Sequence, residues 1–233
     1  YNLSDVDVER LLLGKEGVRG GYSAEDHFQI QNAETNPTRV SGVPVEYRNN
    51  FIAHGFVDLD YQREYAVLGT RTGTAVYDVT DAQSPVLAGF GPGNTSSWRE
   101  VKVYQAPDPA GGRHLTYAYI TTEAPGSGLQ IIDLSYLPAS VSLANTPLDF
   151  GRSHTLYISN VDYASMSALP GRQAFLYIAG TDVAGGAFRI YDLTDPLQPA
   201  LATPPPACNG YMHDSTSMLL TDSRTTQCAN AHN

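Results

Sequence analysis

Tyr65-Ala-Val-Leu-Gly-Thr70, then Gly73-Thr-Ala-Val-Tyr-Asp78-Val-Thr-Asp81, then Ser84-Pro85-Val-Leu-Ala88 is the block whose reading decides the fold. Short runs of β-branched and aromatic residues bounded by Gly, Asp and Pro read as strand, tight turn, strand, polar turn. The block recurs. Tyr117-Ala-Tyr-Ile-Thr-Thr122 leads to Gly128-Leu-Gln-Ile-Ile-Asp133-Leu-Ser135, and Leu176-Tyr-Ile-Ala-Gly-Thr181 leads to Gly186-Ala-Phe-Arg-Ile-Tyr-Asp192-Leu-Thr-Asp195-Pro196. Asp78, Asp133 and Asp192 are 55 and 59 residues apart. A carboxylate there can accept the backbone N–H two residues on and close the turn, so a structural role is expected for all three.

Further strands lie between the blocks. Glu100-Val-Lys-Val-Tyr104 alternates as a half-buried strand should, and His154-Thr-Leu-Tyr-Ile-Ser159 and Ser217-Met-Leu-Leu220 read similarly. Each unit then holds three or four antiparallel strands in about 40–60 residues, the size of a propeller blade. The expected fold is all-β, a β-propeller or the N-terminal half of one. Residues 1–50 lack period and read as an irregular arm or insertion. Residues 51–233 hold about three to four blades, expected to be truncated at the C-terminal end. The start at Tyr1, with no Met or signal peptide, fits a mature or excised polypeptide. Residues 105–114, 160–173 and 202–210 read as turn-rich loops.

Charged residues make up 16% of the chain, well below the usual ~25%, and 15 tyrosines accompany them. That neutral-polar surface suits a secreted all-β protein and excludes a disordered chain. The net charge of −10, with no basic stripe, excludes nucleic acid as a partner. No apolar run approaches the ~18 residues of a membrane span. Cys208 and Cys228, 20 residues apart in loop-like sequence, favour a disulfide worth ~3 kcal/mol by loop entropy. Free thiols, or pairing with a residue outside the chain, are the alternatives. Asn2-Leu-Ser4 and Asn94-Thr-Ser96 are glycosylation sequons.

Polar residues stand just before the first strand of each unit. His54, Trp98-Arg99, His154 and His213-Asp214 follow one another at intervals of 45, 55 and 59 residues. Strand starts at one end of a propeller axis would bring them together. Converging imidazoles beside a carboxylate suit a divalent metal, assigning His54, His154 and His213 as ligands. Trp98, Arg99 and Asp214 would bind a ligand or a substrate carboxylate. Polar links that hydrogen-bond neighbouring units are the structural alternative. Asp5-Val-Asp7 and Asp58-Leu-Asp60 have alternate carboxylates of the calcium-loop kind. No zinc-protease helix, nucleophile elbow or phosphate loop occurs.

Taken together, Arg63 to Asp81, Ser96-Ser-Trp-Arg-Glu-Val-Lys-Val-Tyr104, Gly128 to Leu134, Ser153 to Ile158 and Gly210-Tyr-Met-His-Asp214 resemble the choice-of-anchor B family of LVIVD-repeat propellers. The resemblance implies a secreted or surface-anchored propeller with a variable anchor, longer than this chain, and no established catalytic mechanism. The expected function is therefore binding, adhesion or structural assembly at the cell surface, without catalysis. The partner would be a protein, a glycan or further copies of the chain in an oligomer or fibre. One alternative is a metal-assisted hydrolase or lyase using the axial His/Arg/Asp group. The other is a calcium-stabilised structural subunit.

Overall fold

The computed structural model describes residues 53–202 and 210–217, and among them every regular element is a β-strand. Residues 1–50, Cys208, Cys228 and all but the first residue of the strand expected at 217–220 lie outside the described residues. Three antiparallel four-stranded sheets follow one another along the chain. The first is β1 (Ala53–Val57), β2 (Glu64–Thr70), β3 (Gly73–Asp78) and β4 (Val86–Pro92), paired in chain order. The second is β5 (Arg99–Pro107), β6 (His114–Thr122), β7 (Gln130–Asp133) and β8 (Ser142–Asn145). In the third, β9 (Thr155–Ser159) is followed by a small hairpin, β10 (Val161–Asp162) and β11 (Ser167–Ala168). The sheet then continues with β12 (Phe175–Ala179), β13 (Arg189–Asp192) and β14 (Ala200–Leu201). The hairpin falls inside the stretch 160–173 expected to be an irregular loop.

The repeated Asp-Leu/Val-Thr/Ser motif ends the third strand of each sheet in the same way. Asp78 Oδ1 accepts the N–H of Thr80 at 3.0 Å, Asp133 Oδ1 that of Ser135 at 2.8 Å, and Asp192 Oδ1 that of Thr194 at 2.6 Å. The residue between them, Val79, Leu134 or Leu193, turns inward and is buried. Its own N–H donates to the carbonyl of Glu64, Thr116 or Ala174 on the second-strand side. One tripeptide thus closes the turn, plugs the core and prolongs the ladder by one bond.

Strands β5, β6 and β7 of the middle sheet are buried on both faces. Because side chains alternate along a strand, Val101, Val103, Ala118, Ile120 and Ile132 share a cluster with Phe56, Tyr65 and Val67 of the first sheet. Their neighbours Tyr104, Tyr117, Tyr119 and Ile131 pack against Leu156, Ile158, Leu176 and Ile178 of the third. A strand with two apolar environments reads as an unbroken apolar run, as in Tyr117–Ile120. The first strands also meet in sequence, β1 against β5 and β5 against β9.

Glu100 and Lys102 depart from the half-buried strand expected of their alternating sequence. Both are buried, and Lys102 Nζ stands 3.2 Å from Glu100 Oε1. The second Glu100 oxygen accepts the Leu156 N–H at 3.3 Å, so one carboxylate serves its own strand and the next sheet. Further along β5, the Gln105 amide donates to the Val57 and Ser165 carbonyls at 2.9 and 2.8 Å and accepts the Leu59 N–H at 3.2 Å. A charged pair and an amide are stable inside the protein only because each is satisfied there.

The motif separates two energies. Leu134→Ala should cost about 2–5 kcal/mol, since a fully buried side chain leaves a cavity. Asp133→Ala should cost about 1 kcal/mol for one turn hydrogen bond. Urea unfolding of both variants measures the contrast, and equal losses would refute it.

The pH dependence follows from Asp78. Desolvation raises its carboxyl, but hydrogen bonds from Thr80 and Arg63 and the Arg63 charge outweigh it and hold it below the usual 3.8. An aspartate lowered in the folded state stabilises above its unfolded value, and the gain disappears as pH falls through the folded one. Stability should therefore drop below about pH 4. The drop should be shallower in Asp78→Asn, as followed by urea midpoints from pH 7 to 2.5.

Candidate functional site

The end at which the first strands begin is where the sheets are tied together. Ser96 N–H donates to the Arg71 carbonyl at 2.9 Å and Ser153 N–H to the Thr122 carbonyl at 3.0 Å. The segment entering each new sheet is pinned to the exit of the second strand before it. The segment Tyr211–Asp214 makes an analogous approach to the third sheet. Met212 N–H donates to the Gly186 carbonyl at 3.0 Å, and the His213 carbonyl accepts from the Thr155 hydroxyl at 2.8 Å. Gly180, at φ +64°, permits the close fit. A side chain there would begin 2.6 Å from His154 Cβ and 3.1 Å from the Tyr211 hydroxyl.

His154 is the centre of what gathers at this end. Its ring stacks on Trp98, centroids 4.5 Å apart at an interplanar angle of 13°. The Trp98 indole N–H donates to the His154 carbonyl at 2.6 Å, and the Thr121 hydroxyl donates to the same oxygen at 3.1 Å. The Glu123 carboxylate lies 2.7 Å from His154 Nδ1. On the far side, His154 Nε2 is 3.1 Å from His213 Nε2, the two rings meeting edge to face. Tyr211 lies 6.4 Å from each imidazole centroid. Burial, and then the Glu123 charge, push the Tyr211 phenol up. His154 is nearly buried, whereas Tyr211, His213 and Asp214 are exposed.

The remaining residues expected at this site stand elsewhere or are already engaged. Among the described residues no three of His, Cys, Asp and Glu are grouped to hold a metal ion, so the expected His54–His154–His213 triad is not formed. Strand register gives the reason. Ala53 pairs with Leu68 two residues before Thr70, Val101 with Ile120 two before Thr122, and Thr155 with Ala179 two before Thr181. By that alignment His54 matches Lys102 and Leu156, two residues beyond the level of His154. Its Nε2 lies 3.4 Å from Met166 Sδ instead.

Arg99 points into the protein and is 1% exposed. Its Nε donates to the Thr70 carbonyl at 2.7 Å, Nη1 to Gln130 Oε1 at 3.0 Å, and Nη2 to the Asn94 carbonyl. Burial among these neutral acceptors holds the guanidinium down to about 10. The fork is occupied by structure and does not face a ligand. Asp214 accepts the N–H of Ser215 at 2.7 Å. The carboxylates Asp58 and Asp60 are likewise engaged. Asp58 Oδ1 accepts the N–H groups of Asp60 and Tyr61, and Asp60 binds the His114 backbone and ring.

Glu123 is the residue that reading the sequence missed. It follows β6 with no motif around it, and only the fold brings it to His154, 31 residues on. Comparisons of the chain with protein-family models, with curated proteins and with solved structures give no match.

Two substitutions distinguish structural from exposed residues at this end. Arg99→Lys cannot reproduce a planar fork on three acceptors and should cost about 2 kcal/mol or more. Tyr211→Ala, on an exposed side chain, should cost under about 1 kcal/mol. Urea denaturation of the two variants decides between these roles.

Proposed function

We propose that the chain is an extracellular or surface-anchored β-propeller of the choice-of-anchor B kind, serving as a rigid scaffold for binding a protein or glycan. The observation that carries the reading is the middle sheet with both faces buried between two others, its first strand touching the first strands of its neighbours. Sheets stacked face on face in chain order, with first strands adjacent, suit the radial packing of blades. The low charge content and abundance of tyrosine suit an extracellular surface. No helix among the described residues is long and apolar enough to cross a membrane.

A scaffold of this sort keeps its buried polar groups for structure and leaves recognition to its rim. Arg99, Glu100, Lys102 and Gln105 lie inside. The rim near the strand starts carries Trp98, Tyr211 and His213, aromatic bodies with polar tips of the kind that stack on sugars or peptides. The hydrolase or lyase reading asks Arg99 to neutralise a substrate, and its fork is turned inward. The calcium reading asks for carboxylates that turns and His114 occupy.

Immobilised glycan and extracellular-matrix peptide panels test the scaffold. The purified chain should retain at least one ligand class. Tyr211→Ala should weaken that ligand about tenfold or more, as the loss of an aromatic anchor does. Binding indifferent to Tyr211 would move the recognition surface away from this rim, and turnover of any retained ligand would overturn the non-catalytic reading.

A further inference from the structure

We infer that His154 and His213 form a two-imidazole chelate for a first-row divalent metal, copper(II) or zinc(II), with Glu123 as the orienting carboxylate. A carboxylate 2.7 Å from His154 Nδ1 accepts the hydrogen there, which leaves Nε2 of the neutral ring as a lone-pair donor. That nitrogen is 3.1 Å from His213 Nε2, with the two rings edge to face. Two nitrogens bound to one metal at about 2.0–2.1 Å are separated by ~2.9 Å at a right angle and ~3.3 Å at a tetrahedral angle. The observed separation of 3.1 Å lies between these, the spacing of two ligands on a single ion.

The surroundings have the features of a held ligand. Metal-bound histidine donates its other ring N–H to a carboxylate, which fixes its tautomer and raises its basicity. Glu123 fills that position. Trp98 stacked on His154 fixes the ring plane, while the His213 backbone is held by the Thr155 hydroxyl. No third His, Cys, Asp or Glu completes the set among the described residues. The remaining coordination positions are therefore left for water or for an oxygen donor from a bound partner, on the side where His213 is exposed. A simple N–H···N hydrogen bond between the two rings is the competing account, with His213 as donor.

The proposal extends to chemistry that the scaffold reading does not require, and the two fail separately. The purified chain is titrated with CuCl2 and with ZnCl2 at neutral pH. Trp98 is the single tryptophan, so copper bound beside His154 should quench the intrinsic fluorescence with a one-equivalent endpoint. Electron paramagnetic resonance of that complex should show two imidazole nitrogens. His213→Ala, which removes an exposed side chain, should weaken binding at least tenfold while the thermal midpoint is kept. Glu123→Gln should weaken it by a similar factor if the carboxylate orients the ligand.

The chain carries six histidines, so copper bound equally well by His213→Ala sits on other side chains and overturns the site. Absence of stoichiometric binding, or an N–H···N coupling between the two rings that survives saturating zinc, overturns it as well. Retained glycan or peptide binding in a chain that takes up no metal leaves the scaffold reading intact.

Discussion

Burial of both faces of the middle sheet is the constraint from which the rest of the structure follows. An isolated four-stranded meander can leave one face to water, but β5, β6 and β7 are buried on both. Neither face can be left in water, so a sheet must pack on each side. The first and third sheets supply those partners, and their side chains divide into two clusters separated by the pleat of the middle strands. Each large apolar side chain so buried contributes about 1.5–3 kcal/mol, which places most of the stabilisation in these two layers.

Packing sheets this closely forces polar groups into the interface, and the largest of them find partners there. Glu100 joins Lys102 and a backbone N–H of the third sheet. Gln105 joins the end of β1 to the turn before β11. Arg99 gathers three neutral acceptors from three different segments. Such groups add little net energy in themselves but are costly to disturb, because removing one leaves its partners desolvated and unsatisfied. They fix which sheet lies beside which, and at what level, where apolar packing by itself is permissive.

The gathering at His154 arises from the same joints. Each connection into a new sheet passes the exit of the second strand before it, so side chains flanking the first strand are carried to one end of the stack. Trp98 arrives from one joint, His154 from the next, and His213 from the segment laid on the third sheet. The rim is thus a by-product of how the sheets are linked. Paired backbone holds its side chains, and Tyr211 and His213 stay exposed on its outer side.

The first three strands of each sheet, their antiparallel order and the turn-closing role of Asp78, Asp133 and Asp192 were legible in the sequence, whereas β8 and the β10–β11 hairpin were not. They depend on local chemistry: β-branched runs, glycine at turns, and a carboxylate within reach of an N–H two residues on. The recurrence of polar residues before each first strand was legible too, and of that set the fold brings His154, His213 and Trp98 together. Spacing could not give the level of each residue along its strand. Register is set by pairing with a neighbour distant in sequence, and a shift of two residues put His54 against Met166. Nor could composition say that Arg99, Glu100 and Lys102 face inward, since a charged side chain is soluble in either place once it finds partners. Glu123 belongs wholly to the tertiary structure, for a carboxylate acquires a role beside an imidazole 31 positions away only when the fold brings the two together.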